Sequence, residues 1–462
     1  MSNPPPTIEA ALEAYNAGRR DVAAALCERM IERDPSSFNA LHLLGTVRLE
    51  NDQLQEAFDL LSRACAIEAG VAIAHLRRGV AARRLGQLAV AREAYATAVR
   101  LSPTFAKAWN GLGITLAALG EHEEALGALD RALALEPDDA RTNWNASLVR
   151  LALGDYARGW AQYEWRLQVP EFRFVNDLPS RPWRGQEDLR GKSIVLIAEQ
   201  GLGDTIQFCR YAPLVVQYGA RVVLRVPAPL VKLLRTLHPA IEVVDASAPW
   251  PATDFHCPLM SLPLAFRTLL QTIPSQPYLH ADASDVDVWS RRMGERASPL
   301  RVGLAWAGAS PPRTMREEFE TSLRRSLRLR MFEAFGAIPG VEFFSLQVGD
   351  AAAEIGELAR DPEWYGPRLR DMTSDIHDFA DTAALVANLD LVITCDTSVA
   401  HLAGALGRPV WVLSRFDACW RWLVARSDSP WYPSARVFRQ PRLGEWAPPV
   451  AEAAEALRAI AS

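Results

Sequence analysis

The first third of the chain repeats itself at an interval of 34 residues, and nothing else in the sequence constrains its fold as tightly. Gly45, Gly79 and Gly113 are spaced by that interval, as are Ala57, Ala91 and Ala125, and Ala64, Ala98 and Ala132. FNALHLLGTVRLE, AIAHLRRGVAARR and AKAWNGLGITLAA are therefore equivalent first helices; LQEAFDLLSRACAIE, LAVAREAYATAVRLS and HEEALGALDRALALE are equivalent second helices. Apolar residues at i, i+3, i+4 and i+7 give each helix one buried stripe. Glycine on one helix and alanine on the other let an antiparallel pair approach closely. Pro35, Pro103 and Pro137 end the second helices. A weaker unit precedes these around residues 4–37. Another follows from Ala140, keeping the helical period but losing the glycine. Five units are expected, with Trp144, Trp160 and Trp165 of the last one acting as packing residues that seal the array.

The period and residue pattern resemble the tetratricopeptide repeat. Stacked helix pairs of this kind form a concave groove suited to a peptide or a partner protein; the alternative is a rigid spacer or a dimerisation surface.

Beyond the polar, proline-containing stretch PEFRFVNDLPSRPWRGQ the period changes. SIVLIA (193–198), RVVLRV (221–226), IEVV (241–244) and TDFHC (253–257) read as strands with helical stretches between them. A second series, RVGLAWAG (301–308), VEFFSL (341–346), LVIT (391–394) and VWVL (410–413), begins after a polar helix and linker at about 280–299. Strands alternating with helices imply parallel sheets. Two such domains enclose a cleft at their strand C-termini, where ligands bind. PPVAEAAEALRAIA is a closing helix begun by prolines.

Composition removes several function classes. Hydrophobic residues are 49% and charged residues 23% of the chain, the balance of an ordinary globular protein. No apolar run of about 18 residues suggests a membrane span. MSNPPPTIEA lacks the basic and apolar regions of a secretory leader. A net charge of -5 argues against nucleic acid as the main partner. The six cysteines are scattered without a C-x-x-C pair, which suits a reducing cytoplasm and no zinc site. Of 50 lysines and arginines only Lys107, Lys192 and Lys232 are lysines, so the arginines cannot all be anion ligands.

Three segments can carry chemistry. EQGLGDTIQF (199–208) follows a strand and opens a helix; Gly201 and Gly203 permit a tight turn, and Asp204 lies at or near the helix N-cap. Ile206 stands where a dinucleotide fingerprint would have its third glycine. In LDLVITCDTSVAHLAGALGRPVWVL (389–413), Thr397 and Ser398 offer hydroxyls and backbone N–H groups to a phosphate. There Asp396 takes ribose hydroxyls or holds the turn, and His401 faces either the ligand or the sheet. PPRTMREEFETSLRRSLRL carries Arg313, Arg316, Arg324, Arg325 and Arg328, which can neutralise a leaving diphosphate or simply coat a solvated loop; Arg325, next to Ser326, is the preferred contact. Asp285-x-Asp287 reads as helix N-terminal charge rather than a metal site.

With these segments together, residues 192–440 resemble the heptosyltransferase-like glycosyltransferases (glycosyltransferase family 9). The match rests on G-L-G-D at 201–204, D-F-A-D-T-A-A-L at 378–385, D-T-S-V-A-H at 396–401 and G-A-L-G-R-P-V-W at 404–411. With the repeats ahead and S-P-W-Y-P (429–433) behind, the chain is similar to bacterial tetratricopeptide-glycosyltransferase fusions, some of which modify flagellin. The resemblance implies a GT-B fold of two Rossmann-like domains. The implied division is repeats at 1–170, an acceptor-side domain at 171–285, a nucleotide-sugar domain at 286–440 and a closing helix at 441–462. It implies Asp204 as catalytic base and Asp396, Thr397, Ser398 and His401 as donor-binding residues; the local reading adds Gly201, Gly203 and Arg325 to the nucleotide-sugar site. The expected reaction is inverting transfer from a nucleotide-sugar without a metal or cofactor; the repeat groove favours a protein acceptor, and the cysteines favour the cytoplasm. The alternatives are transfer to lipopolysaccharide or another cell-surface glycan, and a non-catalytic adaptor. Ser398 stands where heptosyltransferases commonly have glycine, and no lysine follows Lys232, so an arginine is expected at the phosphates.

Overall fold

The computed structural model describes residues 6–170, 178–308, 316–417 and 419–461. The chain forms two compact units, Met1–Val149 and Arg150–Ser462. No helix among the described residues is long and apolar enough to cross a membrane.

The first unit is a tetratricopeptide helical array. Its antiparallel pairs are α1 (Ile8–Asn16) with α2 (Arg20–Arg33), α3 (Phe38–Glu50) with α4 (Leu54–Ile67), α5 (Ala72–Arg84) with α6 (Leu88–Leu101), and α7 (Ala106–Ala118) with α8 (His122–Leu135). Two more helices follow in sequence, α9 (Ala140–Ala152) and, in the second unit, α10 (Tyr156–Tyr163), which runs on into a 3-10 turn at Glu164–Gln168. α2, α6 and α8 each stop two residues short of a proline. The repeating glycine does what its position suggests: a Cβ on Gly113 would lie 2.5 Å from Leu129 Cγ of the paired helix, too close for any side chain. A second 34-residue series was not singled out in the sequence. Gly18, Asp52, Gly86 and Gly120 occupy the turn between the helices of each pair and Gly154 follows α9, all with φ between +66° and +84°. Asp52 breaks the glycine pattern, which hides the series from a search for identical residues.

The second unit contains two sheets whose strand pairings are all parallel. The first holds β1 (Arg181–Pro182), β2 (Ser193–Ile197), β3 (Arg221–Val226), β4 (Ile241–Asp245) and β5 (Phe255–Pro258), in the order β1-β5-β2-β3-β4. The second holds β6 (Leu300–Ala305), β7 (Val341–Ser345), β8 (Leu369–Arg370), β9 (Leu391–Cys395), β10 (Val410–Ser414) and β11 (Ala435–Arg439), in the order β11-β10-β9-β6-β7-β8. This is the doubly wound order, and it reverses between β6 and β9; the first sheet reverses between β2 and β5. All eight expected strands are present, and the edge strands β1, β8 and β11 are additional. β1 and β8 are only two residues long, and β11 carries two arginines in five residues, so none stands out as an apolar run.

Among the described residues, ten further helices connect the strands: α11 (Leu202–Phe208), α12 (Ala212–Val216), α13 (Ala228–Leu234), α14 (Leu262–Ala265), α15 (Ala283–Met293), α16 (Arg316–Arg325), α17 (Ala353–Leu358), α18 (Phe379–Ala387), α19 (Ser398–Ala405) and α20 (Ala447–Ala461). The polar linker is α15, capped by Asp282, which accepts from Ser284 N and Asp285 N. Asp285 lies in its first turn and pairs with Lys232 at 2.8 Å. The closing helix α20 buries Val450, Ala453, Ala454 and Leu457 against Val302, Phe335, Phe343 and Ile393, completing the second sheet's core.

Candidate functional site

Two loops matter, one leaving β2 and one leaving β9, each beside the strand pair where its sheet reverses. After β2 the chain turns at Gly201 into α11. Gly201 is the N-cap, and Asp204 is the third helical residue rather than the cap itself. Its Oδ2 accepts from Gly201 N at 2.9 Å, tying the turn from inside the helix. After β9 comes Asp396, then Thr397 as N-cap of α19, with no side-chain hydrogen bond closing that helix end. Thr397 Oγ1 instead lies 3.1 Å from Thr394 Oγ1.

The two helices meet directly. A Cβ on Gly203 would lie 2.8 Å from His401 Cδ2 and 3.3 Å from Ser398 Cα, so only glycine admits this approach. Asp204 is thereby brought beside the start of α19. Its Oδ1 forms an ion pair with Arg421, which lies in a 3-10 turn (Trp420–Trp422) beyond β10. The guanidinium of Arg421 rests on the Trp420 ring at 4.3 Å and donates to Cys419 Sγ at 3.1 Å, while its buried Nε has no partner. Burial works against its charge; Asp204 outweighs that and raises its pKa above the ordinary arginine value.

Asp396 and His401 form a buried pair behind this contact. Asp396 Oδ1 accepts from Trp422 Nε1 at 2.8 Å and lies 4.0 Å from His401 Nε2. His401 stacks on Trp422, with centroids 5.4 Å apart, and its Nδ1 meets Tyr432 OH at 3.0 Å. Burial pushes His401 down to about 4, so the imidazole is neutral at neutral pH. Burial raises the Asp396 carboxyl; His401, the Trp422 N–H and the guanidiniums of Arg325 and Arg421 lower it further and keep it charged. His401 therefore faces Asp396, Trp422 and Tyr432.

Cations gather at the C-terminal ends of β6, β10 and β11. Arg325, at the end of α16, packs against Gly308 just beyond β6, and its Nε is buried without a hydrogen-bond partner. Ser326 Oγ beside it accepts from Gly308 N at 3.2 Å. Arg415 Nε lies 3.1 Å from Asp417. Arg439 donates to Leu423 O at 2.7 Å, holding Leu423 at φ +52°. Of the other arginines proposed from the sequence, Arg324 lies 3.7 Å from Asp417 and Arg328 pairs with Glu354 at 2.9 Å. Arg313, and the side chain of Arg316, lie outside the described residues.

Within the second unit, α10 and the turn after it reach this region. Trp160 is buried against Phe208, Trp420 and Trp431, and Tyr156 OH accepts from Trp431 Nε1 at 2.9 Å. Arg166 donates twice to Glu199 at 2.8 and 3.0 Å, both side chains fully buried, and so anchors the start of the E-Q-G-L-G-D loop. Arg210 crosses between the sheets, donating to Trp431 O at 2.8 Å and Tyr278 OH at 3.1 Å under the Tyr432 ring. Arg166, Arg210 and Arg421 escaped the sequence reading because a chain this rich in arginine gives no single one prominence. The tryptophans flanking Arg421 in W-R-W were the only local signal.

A tetratricopeptide-repeat family model matches residues 8–72, 76–140 and 110–164. Over 478 residues the chain is 28% identical to Protein FlbA of Caulobacter vibrioides, covering 97% of this chain and 77% of that protein. Among solved structures, MamA is 20% identical over 36% of this chain and 96% of its own, with a TM-score of 0.33. The thermophilic tetratricopeptide protein TTC0263 of Thermus thermophilus is 24% identical over 36% of this chain and 94% of its own, with a TM-score of 0.30. The repeats give the chain a protein-interaction role.

Proposed function

We propose that the α/β unit is a GT-B glycosyltransferase of the heptosyltransferase-like kind, moving a sugar from a nucleotide-sugar to a protein acceptor recruited by the repeats, with flagellin a candidate acceptor. The transfer is inverting. The acceptor hydroxyl oxygen bonds to the anomeric carbon as the bond from that carbon to the phosphate oxygen breaks. The electron pair leaves on the nucleoside phosphate, and Asp204 takes the hydroxyl proton. Arginine side chains and the open N-terminus of α19, rather than a metal, stabilise the departing charge. Arg325, with its unpartnered Nε at the reversal point of the second sheet, suits the phosphate role left without a lysine.

The observation that carries this reading is the contact of Gly203 with Ser398 and His401, which places a carboxylate from one sheet's reversal point beside an uncapped helix start at the other's. The same geometry serves a glycan acceptor equally well; the repeats, as protein-interaction modules, favour a protein.

The first experiment is nucleotide-sugar hydrolysis by the full chain across a panel of donors. Asp204→Asn should cut turnover by about 10²–10⁴ while the donor binds at least as well. An unchanged rate removes Asp204 as the base. No hydrolysis with any donor leaves the adaptor reading.

A further inference from the structure

Both oxygens of Asp204 are engaged. Oδ2 holds the Gly201 N–H and Oδ1 holds Arg421. An incoming hydroxyl and Arg421 therefore compete for the same Oδ1, so the arrangement is a resting one for the chemistry proposed above. Arg421, by contrast, is under-used. One nitrogen meets the carboxylate, one meets a thiol, and the buried Nε meets nothing. It is reachable, since the side chains of Arg421 and Asp204 are 13% and 19% exposed. It lies beyond β10 next to Trp422, whose Nε1 donates to Asp396 just ahead of α19. A phosphate arriving there meets a guanidinium suited to two-point contact and already oriented on Trp420.

We propose that Arg421 is a diphosphate ligand that masks Asp204 until a nucleoside diphosphate group arrives. The phosphate and the carboxylate compete for one guanidinium. Donor binding draws Arg421 away and frees Oδ1 at the moment the base is needed, while the Gly201 N–H still holds Oδ2. The order of events follows: the donor binds before the acceptor hydroxyl can be deprotonated. The inference rests on the transferase reading and adds to it a residue and a sequence of binding.

Competition makes a prediction that a purely structural ion pair does not. Asp204→Asn keeps an oxygen for the Gly201 N–H but gives up the charge that occupies Arg421. The full chain and its variants are titrated calorimetrically with UDP, GDP, dTDP and ADP. For whichever nucleotide binds, Asp204→Asn should bind roughly tenfold more tightly than the parent, because the competent state no longer has to be released. Arg421→Met should bind at least about tenfold more weakly, with Arg421→Gln as a better-folding companion. In the Arg421→Met background, Asp204→Asn should add nothing. Equal affinity in the parent and Asp204→Asn, or a gain that survives loss of Arg421, overturns the masking role and leaves the transferase reading standing. If none of the four nucleotides binds either protein, both fall together.

Discussion

At the scale of single residues, the site keeps one buried group charged and its neighbour neutral. Asp396 stays ionised against burial, whereas His401, 4.0 Å away, is pushed by burial to about 4. An unfolded chain protonates a histidine near its ordinary value of 6.5, so between 6.5 and 4 the unfolded state binds more protons than the folded one. Stability is therefore lost as pH falls through that window, by about 2 kcal/mol at pH 5. Urea unfolding of the second unit at pH 7.5 and pH 5 measures the loss. His401→Gln should flatten the difference, and an equal slope in that variant would rule out this source. His42 in the first unit, also pushed to about 4 by burial, contributes in the same direction to that unit.

At the scale of elements, the glycines of the repeats separate three roles that look alike in sequence. Gly127 lies in α8 with open space around it, so Gly127→Ala should stabilise by up to about 1 kcal/mol. Gly86 also has open space but holds φ +76° at an inter-helix turn, and Gly86→Ala should cost about 1 kcal/mol through backbone strain alone. Gly113 faces Leu129, and Gly113→Ala should cost about 1–3 kcal/mol through overpacking. Thermal unfolding followed by helical circular dichroism reads all three, and a shared sign would refute the assignment. Gly113 was legible because its repetition is a packing requirement written as identity. The turn series was not, because Asp52 satisfies the same left-handed backbone with a different side chain. The same contrast runs through the site. The Asp204 and Asp396 segments could be read because turns and helix starts restrict their residue types. Arg166, Arg210 and Arg421 act through side-chain reach, which leaves no local pattern.

At the scale of the whole molecule, the sequence puts the end of the repeats at 170 and the repeat model reaches 164, while the division into compact units falls between Val149 and Arg150, inside that last repeat. The residues from 150 to 170 include Trp160 and Arg166, both buried in the α/β unit. Two truncations should behave differently. Removing residues 1–139 should abolish modification of a protein acceptor while donor hydrolysis persists. Removing residues 1–170 should also destroy the α/β unit, since it leaves buried Glu199 without its counter-charge at a cost of about 3–5 kcal/mol. Persistence of acceptor modification after the shorter cut would take that task away from the repeats.

The crossing arginine, Arg210, sets a limit on motion. It donates to Gln207 O and Pro274 O on its own side, to Tyr278 OH in the segment that connects the sheets and to Trp431 O beyond, so swinging the sheets apart would pull a buried cation from its acceptors. Wide opening along that seam would therefore have to break the Arg210 contacts. Movement that leaves the seam intact falls to single side chains such as Arg421, so this part of the molecule behaves less like a hinge than like a lock whose tumblers are individual residues.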